Sequence, residues 1–182
     1  LELARYTDYI ITGGASGVSN FDLNDPIDID NYAKLCDAFI NKRPPNLLHI
    51  TGKMMAEAAR KAFIRYHKYV PPELALSQLV IEGGIGNNDP NSRPIKTKNP
   101  YNVGNVDDGT DVYHPTIELG IQAYYDLIAR SYLGHGKTAA DLLDNFVNRE
   151  NQRYASGESY EKMVNSVAKQ VNKLSRDLKL AV

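Results

Sequence analysis

PPELALSQLVIEGG, residues 71–84, is apolar around nearly every face of a helix and closes on two glycines. Proline fits the first helical turn, whose N–H groups have no partner inside the helix. Paired glycines are a common helix stop, because glycine reaches the left-handed conformation without penalty. A helix apolar nearly all round is one buried inside a larger core. The stretch therefore predicts a helical domain built around this segment.

Its last side chain is Glu82, the only charged residue between Glu73 and Arg93 apart from Asp89. A helix C-terminus carries negative partial charge, and the preceding turns are apolar, so dipole and desolvation both penalise the carboxylate. A raised pKa is expected. A carboxylic acid kept protonated at the mouth of a glycine-rich cleft can protonate the leaving oxygen of a glycosidic bond. Gln78, four residues earlier on the same face, is within reach of that carboxyl or of a substrate. The plainer reading is a glutamate that simply reaches solvent from a helix end.

Helical patterns flank this segment. Asp30 is a plausible N-cap for residues 31–41, where Tyr32, Leu35, Cys36, Phe39 and Ile40 share a face and Pro44 and Pro45 follow. After Thr51, a stripe of Met54, Met55, Ala58, Ala59, Ala62, Phe63 and Tyr66 opposes charged residues. Downstream, residues 115–133 align Ile117, Ile121, Tyr124 and Ile128. Thr138 caps 139–150, with Leu142, Leu143, Phe146 and Val147 inward. Ser159 caps 160–178, with Met163, Val167, Val171, Leu174 and Leu178 on one face. Between these patterns, residues 83–114 are dense in Gly, Asn, Asp and Pro and lack a helical period. PIKTK and YNVGNV can pair there as a small hairpin. The fold class is mainly α, with a small turn-rich or β-hairpin lobe beside the central helix; loops of this length are usually functional.

A chain of 182 residues, 42% apolar and 24% charged, fits one domain with a real core. Its 21 basic and 22 acidic side chains nearly cancel, which argues against nucleic acid as a partner. No apolar run is long enough for a membrane span. The single cysteine, Cys36, reads as a buried thiol. His49, His67, His114 and His135 show no ligand spacing on one element, so neither a metal nor another cofactor is expected. Beginning at Leu1, with no basic and apolar leader, the chain reads as a processed product or an excised domain.

YIITGGASGVSN, residues 9–20, looks at first like the glycine turn of a dinucleotide site. That site needs the turn to open a helix within alternating strands and helices. FDLNDPIDID follows instead, and no Tyr-x-x-x-Lys pair occurs in the chain. The stretch reads as a surface segment rich in small residues.

SQLVIEGGIG, residues 77–86, resembles the catalytic-helix motif of the lysozyme-like superfamily, especially bacterial and phage glucosaminidases and lytic transglycosylases. NPYNVGNVDDGT (99–110) is similar to one cleft wall of that group, HPTIELGIQAYYDLI (114–128) to the helix that follows, and RYASGESYEKMV (153–164) to its segment of Tyr-Ala-Thr/Ser, three or four residues and Tyr. The pieces stand in family order across roughly residues 51–171. Ser77 and Gly83 depart from the usual alanine and serine, and residues 1–45 match nothing in the family.

The resemblance implies a catalytic domain over 46–182, with 1–45 as an N-terminal extension packed on it. It implies Glu82 as general acid and then base, Tyr101 and Asn102 on the sugar-binding wall, and Tyr154 near the glutamate. Packing is the equal reading for Tyr101 and Tyr154, since a tyrosine can bury its ring and keep its hydroxyl wet. The implied partner is the peptidoglycan glycan strand, cleaved at β-1,4 bonds between N-acetylmuramic acid and N-acetylglucosamine. Tyr113, in the polar lobe, is a further platform for a sugar face. A second carboxylate, at ~5–5.5 Å for retention or ~6.5–9.5 Å for inversion, is sought in Asp108, with Asp107 and Asp111 beside it. DDG equally suits a tight turn. One glutamate suffices if the substrate's own N-acetyl group or 6-hydroxyl completes the reaction. The implied setting is a phage virion or lysis protein, with virion or other protein partners, or a secreted bacterial hydrolase acting outside the cytoplasm. The rival is a non-catalytic wall-binding or structural virion protein on the same scaffold.

Overall fold

In the computed structural model, which describes residues 18–180, the first helix starts at Pro26, ahead of the expected Asp30. Asp25 is the cap, its side chain accepting from the Ile27 N–H at 3.0 Å. Proline then fills a position that needs no N–H. Asp30 falls on the second turn, where it pairs with Lys34 at 2.6 Å.

Helix α1 spans Pro26–Asn41, α2 Gly52–Tyr66, α3 Pro72–Ile81, α4 Arg93–Thr97, α5 Ile117–Leu127, α6 Ala139–Asp144 and α7 Tyr160–Asp177. A single π turn, Ile128–Tyr132, continues α5. Every residue of α3 from Pro72 to Leu79 is buried, as its all-round apolarity requires. It packs on α7 and α1; α1 in turn lies on α2, and α2 on α5. One apolar cluster joins Phe21, Leu35 and Phe39 with Leu79, Tyr124 and Val171, so chain on both sides of residue 45 builds the same core.

The expected hairpin is not formed. PIKTK lies in α4, and among the described residues there are only two isolated bridges, Gly134 with Lys137 and Val147 with Arg153. Ser92 and Pro94 start the short helix, and Lys98, at φ 52°, ends it. The helix expected over 139–150 stops at Asp144, because Asn145 turns extended, at φ −149°. Phe146 and Val147 remain buried, delivered inward by extended chain. On α7 the inward face is Tyr160, Val164, Val167, Ala168, Val171 and Leu174. Met163 and Leu178, expected on that face, are exposed.

Of the glycine-turn stretch 9–20, residues 9–17 lie outside the described residues. Ser19 is buried rather than at the surface. Among the described residues, no helix is long and apolar enough to cross a membrane, and no group of three or more His, Cys, Asp or Glu side chains could hold a metal ion.

Candidate active site

The end of α3 is shaped by its glycines. Glu82 caps the helix, donating its N–H to the Gln78 carbonyl at 2.8 Å. Gly83 then takes φ +82°, a left-handed value favourable to glycine. Gly84 answers a different need, since a Cβ there would sit 2.6 Å from the Pro100 carbonyl oxygen and 2.5 Å from Leu79 Cδ1. Only a glycine lets the 99–105 loop press against the helix end.

That loop brings Asn102 to Glu82. Asn102 adopts φ 53°, a left-handed conformation that asparagine tolerates better than most residues. Its Nδ2 donates to the Glu82 carbonyl at 3.0 Å and to Oε2 at 3.1 Å. From α7, the Tyr160 hydroxyl donates to Oε1 at 3.2 Å. Behind it, Gln78 Nε2 donates to the Tyr160 oxygen at 2.9 Å, and the Tyr124 hydroxyl donates to Gln78 Oε1 at 2.5 Å. The carboxyl of Glu82 is thus held by the loop and by α7, with Gln78 of α3 and Tyr124 of α5 bracing the tyrosine behind it, while staying half-buried.

Burial pushes the Glu82 carboxyl above the ordinary glutamate range, and the bonds from Asn102 and Tyr160 pull it partway back. No basic side chain acts on it, so nothing charged locks it in the ionised form. A carboxyl raised in this way is better suited to give a proton than an ordinary glutamate.

The other candidate residues are not all gathered here. Gln78 is fully buried and braces Tyr160 instead of touching a substrate. Tyr101 is buried too, its ring stacked on Tyr124 at 3.7 Å between centroids, so it offers no ring to a cleft. Tyr154 is half-buried, donates to the Tyr101 carbonyl at 3.1 Å and stacks near Tyr160 at 5.9 Å. Tyr113 is exposed. Asp108 is exposed in the DDG turn, where its carboxylate accepts from the Thr110 N–H at 2.9 Å, and that bond lowers its pKa. Asp111 pairs with Arg93, whose guanidinium also donates to the carbonyls of Val106 and Thr110. Asp107 is exposed. None of these three acids is among the groups that shift Glu82.

No family model, curated protein or solved structure matches the chain. The likeness to lysozyme-like enzymes rests on the quoted segments alone.

Two residues of consequence carry no role in the sequence reading. Tyr160 is the closing tyrosine of the family-like RYASGESY segment, but no contact with Glu82 follows from that position. Glu73, in the first turn of α3, is fully buried; Ser19 donates to its Oε1 from N at 2.7 Å and from Oγ at 2.6 Å. The spacing of Asn99, Asn102 and Asn105 at every third residue is a signal that could have marked the loop. Two surface hollows lie elsewhere, one lined by Phe39, Arg43 and Lys173 and one by Ile29, Ala33 and Lys53.

Proposed function

We propose that the protein is a peptidoglycan-cleaving glycosidase with Glu82 as its general acid and base. The observation that carries this reading is a half-buried glutamate at the end of a buried helix, raised by burial and held by two neutral donors with no cation beside it.

Glu82 gives its proton to the bridging oxygen between N-acetylmuramic acid and N-acetylglucosamine as the C1–O bond breaks. With Asp108 and Asp111 engaged in their own turn and ion pair, the route with one glutamate is favoured. The substrate's N-acetyl oxygen then closes on C1, and Glu82 later takes a proton from the water that opens the ring. Alternatively the 6-hydroxyl attacks C1, gives its proton to Glu82 and leaves a 1,6-anhydro end. Tyr113 is an exposed aromatic available to a sugar face. A virion or extracytoplasmic setting goes with this substrate.

The rival reading is a wall-binding or structural protein on the same scaffold. What favours it is that neither of those two surface hollows reaches Glu82.

Digestion of purified peptidoglycan by the wild type and by Glu82→Gln, with mass spectrometry of the released muropeptides, separates these. The expected result is reducing or 1,6-anhydro ends from the wild type and a loss of at least about 100-fold in the variant, the scale of a lost general acid. If both folded proteins are inert and both bind the wall, the binding role takes the place of the enzyme.

A further inference from the structure

We infer that Asn102 is the positioning residue of Glu82, fixing its side chain and designating Oε1 as the oxygen that carries the transferable proton. This deepens the glycosidase reading and rests on it only for the word transferable.

The orientation of the Asn102 amide follows from its partners. Nδ2 lies 3.0 Å from the Glu82 backbone carbonyl, and a carbonyl oxygen can only accept, so the atom facing it must be the nitrogen. Oδ1, on the other side, accepts from Asn105 Nδ2 at 3.1 Å. Asn105 is oriented in turn because its Oδ1 accepts from the Val112 N–H at 2.8 Å. Backbone groups therefore fix both amides.

That orientation distinguishes the two carboxyl oxygens. Oε2 faces an N–H that can donate and never accept. The carbonyl-type oxygen of a protonated carboxyl is its better acceptor, so Oε2 stays unprotonated in both states. Oε1 faces a hydroxyl instead, and a hydroxyl donates or accepts as needed. When Glu82 is ionised, Tyr160 donates to Oε1; when Oε1 holds the proton, the Tyr160 hydrogen turns aside.

Other ionisable groups acting with Glu82 are Tyr124 on α5, Tyr154 on the chain before α7 and Tyr160 on α7. Burial pushes all three hydroxyls up, so they stay neutral. No lysine, arginine, histidine or second acid acts on the carboxyl. Asn102 is accordingly the donor that most favours ionised Glu82: its bond is the larger of the two that lower the carboxyl. Its left-handed φ is part of the device, because it aims one nitrogen at both the backbone and the side chain of the same residue.

The test uses the whole chain labelled with 13C at glutamate carboxyls, with Glu82→Gln to assign the Glu82 signal, and titration followed by NMR. Asn102→Gly keeps the left-handed backbone and removes the donor; Asn102→Asp keeps the shape and replaces the donor with an acceptor. Both should raise the Glu82 titration midpoint, the aspartate more than the glycine. Wall-cleaving activity should fall about 10- to 100-fold in kcat with KM little changed, as for a misplaced catalytic group. An unchanged midpoint in a folded variant, either one, would overturn the inference. A raised midpoint in a protein whose wild type releases no muropeptides would uphold the positioning role and remove the glycosidase.

Discussion

At the scale of single residues, burial raises two carboxyls among the described residues, and they are built for different ends. Glu82 stands at the C-terminus of α3, half-open to solvent. Glu73 stands in the first turn of the same helix, sealed from solvent, with Ser19 donating twice to one oxygen and Tyr69 donating to the Ser19 carbonyl at 2.9 Å. Burial raises Glu73, and the Ser19 and Asn172 donors lower it in part. Since its folded pKa lies above its unfolded one, the folded state holds a proton that the unfolded state has already released. Stability from this group is complete below the ordinary glutamate range and falls as pH rises through the folded value. Glu82 adds a slope of the same sign. Glu73→Gln keeps an acceptor for Ser19 and cannot ionise. Urea unfolding between about pH 4 and 8 should therefore show a shallower loss of stability toward neutrality in Glu73→Gln than in the wild type. Superimposable pH slopes in the two proteins would mean that Glu73 does not hold its proton in the fold.

At the scale of elements, the decisive contact is between the end of α3 and the 99–105 loop. Gly84→Ala would put a methyl within 2.6 Å of the Pro100 oxygen, and neither main chain can yield cheaply. Overpacking of this kind costs about 1–3 kcal/mol. Because the displaced loop carries Asn102, the substitution should also raise the Glu82 titration midpoint. Thermal unfolding and carboxyl NMR on one sample check both effects, and an alanine variant as stable as the wild type would refute the close packing. The buried helix ending in Glu82 was legible from local pattern, because apolarity all round and a double glycine are local facts. The long amphipathic helices were legible too, with errors where a signal lay just outside the pattern. Asp25 and Pro26 precede the apolar stripe of α1, so periodicity alone starts that helix late. The lobe was misread because its shape is set at a distance. Arg93 ties α4 to Asp111, Val106 and Thr110, and nothing in PIKTK announces those partners. Tyr101 stays open between packing and the cleft wall in the sequence for the same reason: its neighbours are Pro100 and Asn102, while its ring is stacked on Tyr124 of α5.

At the scale of the whole molecule, the question is whether the first helix belongs to the unit that holds Glu82. The family likeness begins near residue 51, which invites a division of the chain near residue 45. The core does not follow that division. Leu35 and Cys36 of α1 are fully buried in the cluster that contains Leu74 and Leu79 of α3. The Tyr32 hydroxyl donates to the Val70 carbonyl at 3.0 Å and lies 2.9 Å from the Tyr125 hydroxyl of α5. A domain with one core unfolds as one unit. Leu35→Ala should then cost about 2–5 kcal/mol, the usual range for an emptied core leucine, and the whole chain should bear that loss together. With 12 tyrosines and no tryptophan, near-ultraviolet circular dichroism reports tyrosine packing, to which α1 contributes Tyr32 alone, and the far-ultraviolet signal reports all the helices. In urea, both signals should move to lower midpoint by the same amount in Leu35→Ala and remain superimposed. An early far-ultraviolet step that takes with it no more of the tyrosine signal than the share of Tyr32 would show α1 melting by itself, and Glu82 would then be held by a smaller core beginning after residue 45.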